Sequence, residues 1–190
     1  MQVLNSWEAR WAPYDEATYQ AALSYVQPDD VVLDIGAGNL GLAQRMAGIA
    51  KQVYAIEMQP DLLNGSVFLP DNLTVLCADA RSVPWPENIT LGLLLMRHCT
   101  HVQLYASRLR AVGCRRLVTN ARWGLDVELV ELGQRAAWNS VNIGWYACTC
   151  GQTGFVPGPP EQLTEDRMEQ ITEVESCPTC DSRVAGQPIG

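Results

Sequence analysis

The stretch VVLDIGAGNLG, residues 31–41, constrains the fold more than any other part of this chain. A short apolar run enters three glycines spaced GxGxxG, and Leu42, Met46 and Ile49 then recur at helical spacing. Strand, tight turn and helix therefore follow one another. Such a unit leaves its strand unpaired until parallel partners arrive, and the sequence supplies them: QVYAIE (52–57), LTVLCAD (73–79), ITLGLLLM (89–96) and CRRLVTN (114–120). ITLGLLLM is apolar on both alternating faces, as a strand in mid-sheet must be when helices cover both sides. A helix is expected from Tyr14 to Tyr25, and another where Val102, Ala106, Leu109 and Val112 form a stripe that Gly113 ends. The expected fold is α/β, a doubly wound, mostly parallel sheet. LDVELVEL (125–132) satisfies a helix about as well as a strand, and the region 121–140 is taken as helix.

In such a sheet, ligands sit beyond the carboxyl ends of the strands, where the strand order reverses. Glycine at the turn allows close approach of backbone to ligand. Glu57 lies 21 residues after Gly36, where a carboxylate can take both hydroxyls of a ribose. Both a dinucleotide and S-adenosylmethionine (SAM) contain that ribose. Asp34 separates them. It precedes Gly36 by two residues, where a dinucleotide places its pyrophosphate and a carboxylate would repel it. SAM carries an ammonium and a sulfonium instead, which an acid favours. Asp79, in CADA, is placed to accept from an adenine amino group.

VLDIGAGNLG, YAIE, LCADA and LGLLLMRH together resemble the successive motifs of the class I SAM-dependent methyltransferases over residues 14–120. The resemblance implies a Rossmann-like methyltransferase fold. It implies that Asp34, Gly36, Ala37 and Gly38 line the methionine part of SAM, Glu57 the ribose, and Asp79 with Ala80 the adenine, with Met58 on the adenine face. Arg97 lines the pocket with its backbone or binds an anionic substrate.

Methyl transfer is an in-line displacement at an activated sulfonium, so positioning supplies much of the rate. A base is needed where the nucleophile must lose a proton. MRHCTH (96–101) follows the fourth strand, and His98 is of the residue type suited to that role; His101 would orient it or serve instead. Amino-methyltransferases acting on nucleobases or glutamine commonly carry [DNS]PP[YFW] here, and this chain does not. Cys99 lacks the preceding proline of the C5-pyrimidine enzymes. Cys77, Cys99 and Cys114 read as inert structural cysteines.

Cys148 with Cys150, and Cys177 with Cys180, form a CxC and a CxxC flanked by strand-like runs: IGWYA and TGFV about the first, ITEVE and SRVA about the second. Two hairpins with a cysteine pair at each turn would place four thiolates round one tetrahedral, structural zinc, as in zinc-ribbon-like elements. Disulfides within or across the pairs are the competing reading. The expected organisation is a SAM-binding domain, 1–146, and a small zinc-binding β element, 147–190. That element holds seven acids against two arginines, which suits a lid, a protein-docking surface or a plain packing extension better than phosphate binding.

At 190 residues the chain accommodates one full core and a small appendage. A formal net charge of −8 counts against charge-driven binding to nucleic acid or membrane, so non-specific nucleic-acid binding is not expected. MQVLNSWEARW has no leader pattern, and the longest apolar run, LGLLLM, is far too short to span a bilayer; a cytoplasmic protein is expected. Arg108, Arg110, Arg115 and Arg116 read as a solvated helix end, and Trp7, Trp11, Tyr14 and Tyr19 as a substrate cap or core. Three functions remain open: a SAM-dependent methyltransferase of unidentified acceptor, a non-catalytic SAM-binding regulatory or assembly protein that docks a partner through the zinc element, and an NAD-dependent oxidoreductase.

Overall fold

The computed structural model describes residues 12–64, 69–122, 125–133 and 136–180. Along the chain run α1 (Glu16–Leu23), β1 (Val31–Ile35), α2 (Gly41–Ala47), β2 (Gln52–Glu57), α3 (Pro60–Leu63), β3 (Leu73–Cys77), β4 (Leu91–Leu94), α4 (Val102–Ala111), β5 (Arg116–Thr119) and β6 (Glu128–Glu131). β7 (Gly144–Cys148), β8 (Thr153–Val156), α5 (Glu165–Glu169) and β9 (Ile171–Val174) follow. Chain contacts cluster into two compact units, 1–99 with 104–132, and 100–103 with 133–190.

The first unit is a six-stranded sheet in the order β3-β2-β1-β4-β5-β6. Its first five strands are parallel, and β6 runs antiparallel to β5. From β1 the chain moves outward through β2 and β3, then returns to β4 on β1's other side, so the strand order reverses at β1 and β4. All four residues of β4 are buried, as the two-sided apolar run requires. Gly92 has no side chain because Leu109 of α4 lies directly against it; any Cβ there would overlap the leucine. Val32, Leu42, Met46, Val53, Leu91 and Val118 belong to one continuous core between the sheet and its helices.

The helix expected over 121–140 is not present: β6 is a strand, paired Arg116↔Glu131 to Thr119↔Glu128. The free edge of β5 offers a row of hydrogen bonds that a helix could not meet, and pairing there buries Val130 and Leu132. Local periodicity did not decide between the two, and tertiary pairing did. The arginines after α4 are likewise not a simple solvated end. Arg116 donates to Asp30 at 3.0 Å and to the Tyr25 carbonyl at 2.7 Å, while Asp30 also accepts from Thr90 Oγ1 and the Gln27 N–H. This network ties the amino ends of β1, β4 and β5 together, leaving the opposite sheet edge for ligands.

The second unit is a three-stranded sheet in the order β8-β7-β9, with β8 antiparallel and β9 parallel to β7. β7 begins at Gly144, so the small sheet starts upstream of residue 147. The hairpin about Cys148 and Cys150 is present; SRVA, expected to complete a second hairpin, lies outside the described residues. Tyr146, Cys148, Val174, Cys177 and Cys180 form this unit's core. Among the described residues, no helix is long and apolar enough to cross a membrane.

Candidate functional site

A cavity of about 430 Å³ opens at the carboxyl ends of β1, β2, β3 and β4. Its lining includes Asp34, Gly36, Ala37, Glu57, Met58, Asp79, Ala80, Arg97 and His98, gathered from four strand ends up to 64 residues apart in sequence. Of the residues expected there, Gly38 and His101 are not in the lining.

Asp34 pairs in register with Ala55 of β2 and Leu93 of β4, which puts a carboxylate in the middle of the sheet. Only 4% of it is exposed, and its Oδ2 has no hydrogen-bond partner among the described residues. Burial, with the charge of Glu57 adding, pushes its pKa up to about 7. An unsatisfied buried acceptor that titrates near neutrality, facing a cavity, is a place for a cationic donor.

Gly36 has φ +76°, and a Cβ there would stand 2.8 Å from Met96 Cε, so glycine keeps the cavity floor open. The turn is held from β2: the N–H groups of Gly36 and Ala37 both donate to the Ile56 carbonyl. Glu57 completes the brace, with Oε2 accepting from the Gly38 N–H at 2.9 Å and Oε1 from the Gln59 N–H at 2.8 Å. Gly38 is thus tied to Glu57 and not to the cavity lining. Each carboxylate oxygen keeps a second lone-pair direction for a ligand hydroxyl.

Asp79 is engaged by Arg81, whose Nε and Nη2 donate at 2.7–3.0 Å. An adenine amino group would have to share or displace that contact. This pair is a third or more exposed, where ion pairs exchange readily. Met58 is 42% exposed at the cavity wall, and Ala80 is buried.

His98 sits at φ +63°, in the left-handed region that His enters more often than most residues. The turn is closed by the Cys99 N–H donating to the Met96 carbonyl at 3.0 Å, and it presents Arg97 and His98, both exposed, at the mouth. The Arg97 N–H donates to the Tyr14 hydroxyl at 3.1 Å, and its guanidinium lies 5.3 Å from that ring's centre. Tyr14 and Tyr19 line the cavity, and Tyr19 also packs against the core of the first unit; Trp7 and Trp11 lie outside the described residues. The His101 ring contacts its neighbour Thr100 at 3.2 Å.

Sequence reasoning missed Arg108. Its guanidinium reaches from α4 to the carbonyls of Ala80 and Val83 and lies 4.3 Å from the centre of the Trp85 ring. Trp85 Nε1 donates to the same Ala80 carbonyl at 3.1 Å and stacks on Tyr105. This cluster holds the loop that carries Asp79 and Ala80. No local spacing could pair Arg108 with a loop 28 residues away.

In the second unit, the sulfurs of Cys148, Cys150, Cys177 and Cys180 all lie within 4.8 Å of one another. Three of the separations are 3.7 Å. A tetrahedron with Zn–S bonds of ~2.3 Å has edges of about 3.8 Å, whereas a disulfide requires ~2.05 Å, so the donor set fits one zinc ion. The Gly151 N–H donates to the Cys148 carbonyl, and the buried Thr149 donates through N–H and hydroxyl to the Val174 carbonyl, which closes the CxC turn against β9. As bare thiols Cys148 and Cys150 oppose each other: the pKa of Cys148 is held far above the usual range by its hydrogen bond to Cys150 and by burial. The same hydrogen bond lowers Cys150 to about 5.

A family model described as ribosomal RNA adenine dimethylase matches residues 14–108. The chain is 38% identical over 69 residues to a probable ribosomal RNA small subunit methyltransferase A of Methanosarcina mazei, covering 35% of this chain and 26% of that protein. It is 38% identical over 65 residues to the protein of that name in Methanosarcina acetivorans, covering 33% and 24%. The matched stretch thus spans about a quarter of the length of these relatives. Among solved structures, a dimethyladenosine transferase from Plasmodium falciparum aligns at 17% identity and TM-score 0.46, covering 55% of this chain and 41% of that one. The 23S rRNA methyltransferase ErmE aligns at 22% and 0.45, covering 58% and 47%.

Proposed function

Because this chain belongs to the ribosomal RNA adenine dimethylase family, and so to the class I SAM-dependent methyltransferases, we propose that it binds SAM in the 430 Å³ cavity and methylates RNA. The observation that carries the cofactor assignment is the buried Oδ2 of Asp34, which has no partner among the described residues. SAM supplies an electrophilic methyl on a sulfonium. Asp34 accepts from its ammonium and faces its positive charge; Gly36 and Ala37 give it backbone room. Glu57 accepts from the ribose hydroxyls through the lone pairs its backbone partners leave. Met58 and Ala80 pack on the adenine, and Asp79 accepts from the adenine amino group once Arg81 yields.

Beyond the methyl, Tyr14, Arg97 and His98 line the side from which an acceptor enters. Met96–Cys99 reads MRHC where amino-methyltransferases carry a proline-rich aromatic turn, and a base takes that place: His98 receives the proton the acceptor loses as the methyl bond forms. His101, outside the lining, meets its neighbour Thr100 and takes no part in this reading. The family and the named relatives support RNA as acceptor, which is at odds with the expectation drawn from the net charge of −8. Net charge averages over the whole surface, whereas a single-stranded base is recognised by stacking and edge contacts, with local cations for its phosphates. Tyr14, Arg81 and Arg97 offer both at the cavity.

We also propose that the four C-terminal cysteines hold one structural Zn²⁺ in a β element appended to the SAM-binding domain. A cytoplasmic setting, where thiols stay reduced, is part of the same proposal. The test of the cofactor is thermal: SAM at ~100 times its dissociation constant should add about 2.7 kcal/mol of stability. Stabilisation by NADH and none by SAM would overturn the assignment.

A further inference from the structure

The small sheet of the second unit has two unlike faces. One carries Tyr146, Cys148 and Val174 into the cysteine core. On the other, the register places Trp145 of β7 between Phe155 of β8 and Ile171 of β9. Among the described residues this row stays partly open: Trp145 is 41% exposed and Ile171 53%. Met168 of the neighbouring α5 is 46% exposed. Two large apolar side chains side by side in register and about half exposed, within a unit this small, mark a binding surface rather than scattered exposure. Trp145 also forms one wall of a groove of about 310 Å³ at the start of β7.

The surroundings of this row select its occupant. Glu173 stands two residues beyond Ile171 on the same face of β9. Glu165, Asp166 and Glu169 are exposed on α5. Between residues 144 and 180 the chain has six acids and a single base, Arg167, which donates to the Gln162 carbonyl. Trp145 and Phe155 meet edge to face, with centres 5.1 Å apart and planes at 68°, and such a pair leaves ring face open to a cation. Nucleic-acid phosphates would be repelled by this rim; lysine or arginine would be attracted to it.

We propose that the Phe155–Trp145–Ile171 face docks a protein partner through a segment that interleaves Lys or Arg with aliphatic side chains. The aliphatic groups cover the apolar row, and the cations meet the tryptophan ring and the carboxylate rim. This inference needs neither SAM nor methyl transfer, so the two readings fail separately.

The probe is a fluorescein-labelled 12-residue peptide of alternating arginine and leucine, titrated with the zinc-loaded full chain and followed by anisotropy. The controls are the same peptide with glutamate for arginine and a 12-nucleotide single-stranded RNA. The arginine peptide should bind, at least tenfold tighter than the glutamate peptide, and weaken as salt rises from 50 to 300 mM. Trp145→Ser and Ile171→Ser should each weaken it at least fivefold, whereas Trp145→Phe should stay within about twofold of wild type. Metal content and the response to SAM should be unchanged in all three variants, which separates a lost surface from a lost fold. Three results overturn the proposal: no binding of the arginine peptide, RNA binding that depends on Trp145, or self-association in sedimentation that Trp145→Ser abolishes.

Discussion

Asp34→Asn tests the cavity before any ligand is added. Folding raises the Asp34 pKa from 3.8 to about 7, by burial first and the Glu57 charge second. The shift is 7 − 3.8, about 3 units, and at ~1.36 kcal/mol per unit it corresponds to roughly 4 kcal/mol. Asp34 is only 4% exposed, so solvent screening does little to reduce this. Between the two pKa values the folded state holds a proton that the unfolded chain has released, so stability falls as pH rises. The loss begins near pH 4 and is complete just above 7. Roughly 3 kcal/mol of it falls between pH 5 and 8.5. Asparagine removes the proton linkage at nearly constant shape. Urea unfolding of both proteins at half-unit steps from pH 5 to 8.5 gives the readout as a difference at each pH, which cancels the cysteines and other groups that titrate in both. The variant should gain on wild type by roughly 3 kcal/mol over that range, whatever constant cost its buried amide adds. Saturating S-adenosylhomocysteine, whose ammonium would sit against Asp34, should shrink the wild-type slope. Parallel pH curves for the two proteins would refute the reasoning.

Other consequences follow from single contacts. Gly36→Val meets both a positive φ and the Met96 methyl, and should raise the SAM dissociation constant at least tenfold by calorimetry. His98→Gln should lower kcat by ~10²-fold or more and leave SAM affinity within about twofold, the signature of lost proton transfer rather than lost binding. Arg108→Met frees the Ala80 and Val83 carbonyls and should raise KM for SAM several-fold with kcat nearly kept. Cys148→Ser should cut metal content by plasma emission from about one zinc per chain to a small fraction; two disulfides and no metal in the wild type would rule out the zinc site.

The parallel strands and their carboxyl-end acids were legible because each rests on local pattern: apolar runs of fixed length, glycines at set spacing, acids at the run's end. Asp34, Glu57 and Asp79 all reach one cavity for that reason. β6 was not legible, since LDVELVEL satisfies two periods and only the bare edge of β5 selects one. Arg108 and Arg116 were misread for a related reason: their partners, the 80–83 loop and Asp30, are brought to them by the fold and not by sequence distance. The cysteine spacing announced a cluster, whereas the exposed Trp145 row needed the strand register to be seen.

Transfer of labelled methyl groups tests the central claim most directly. Purified chain, zinc-loaded, is incubated with methyl-labelled SAM and, in separate reactions, with RNA, protein and small-molecule fractions of a cell extract. Label should enter the RNA fraction, withstand protease, be lost to ribonuclease, and fall at least tenfold with His98→Gln. Label confined to protein or to small molecules, or SAM binding with no transfer to any fraction, would contradict the account.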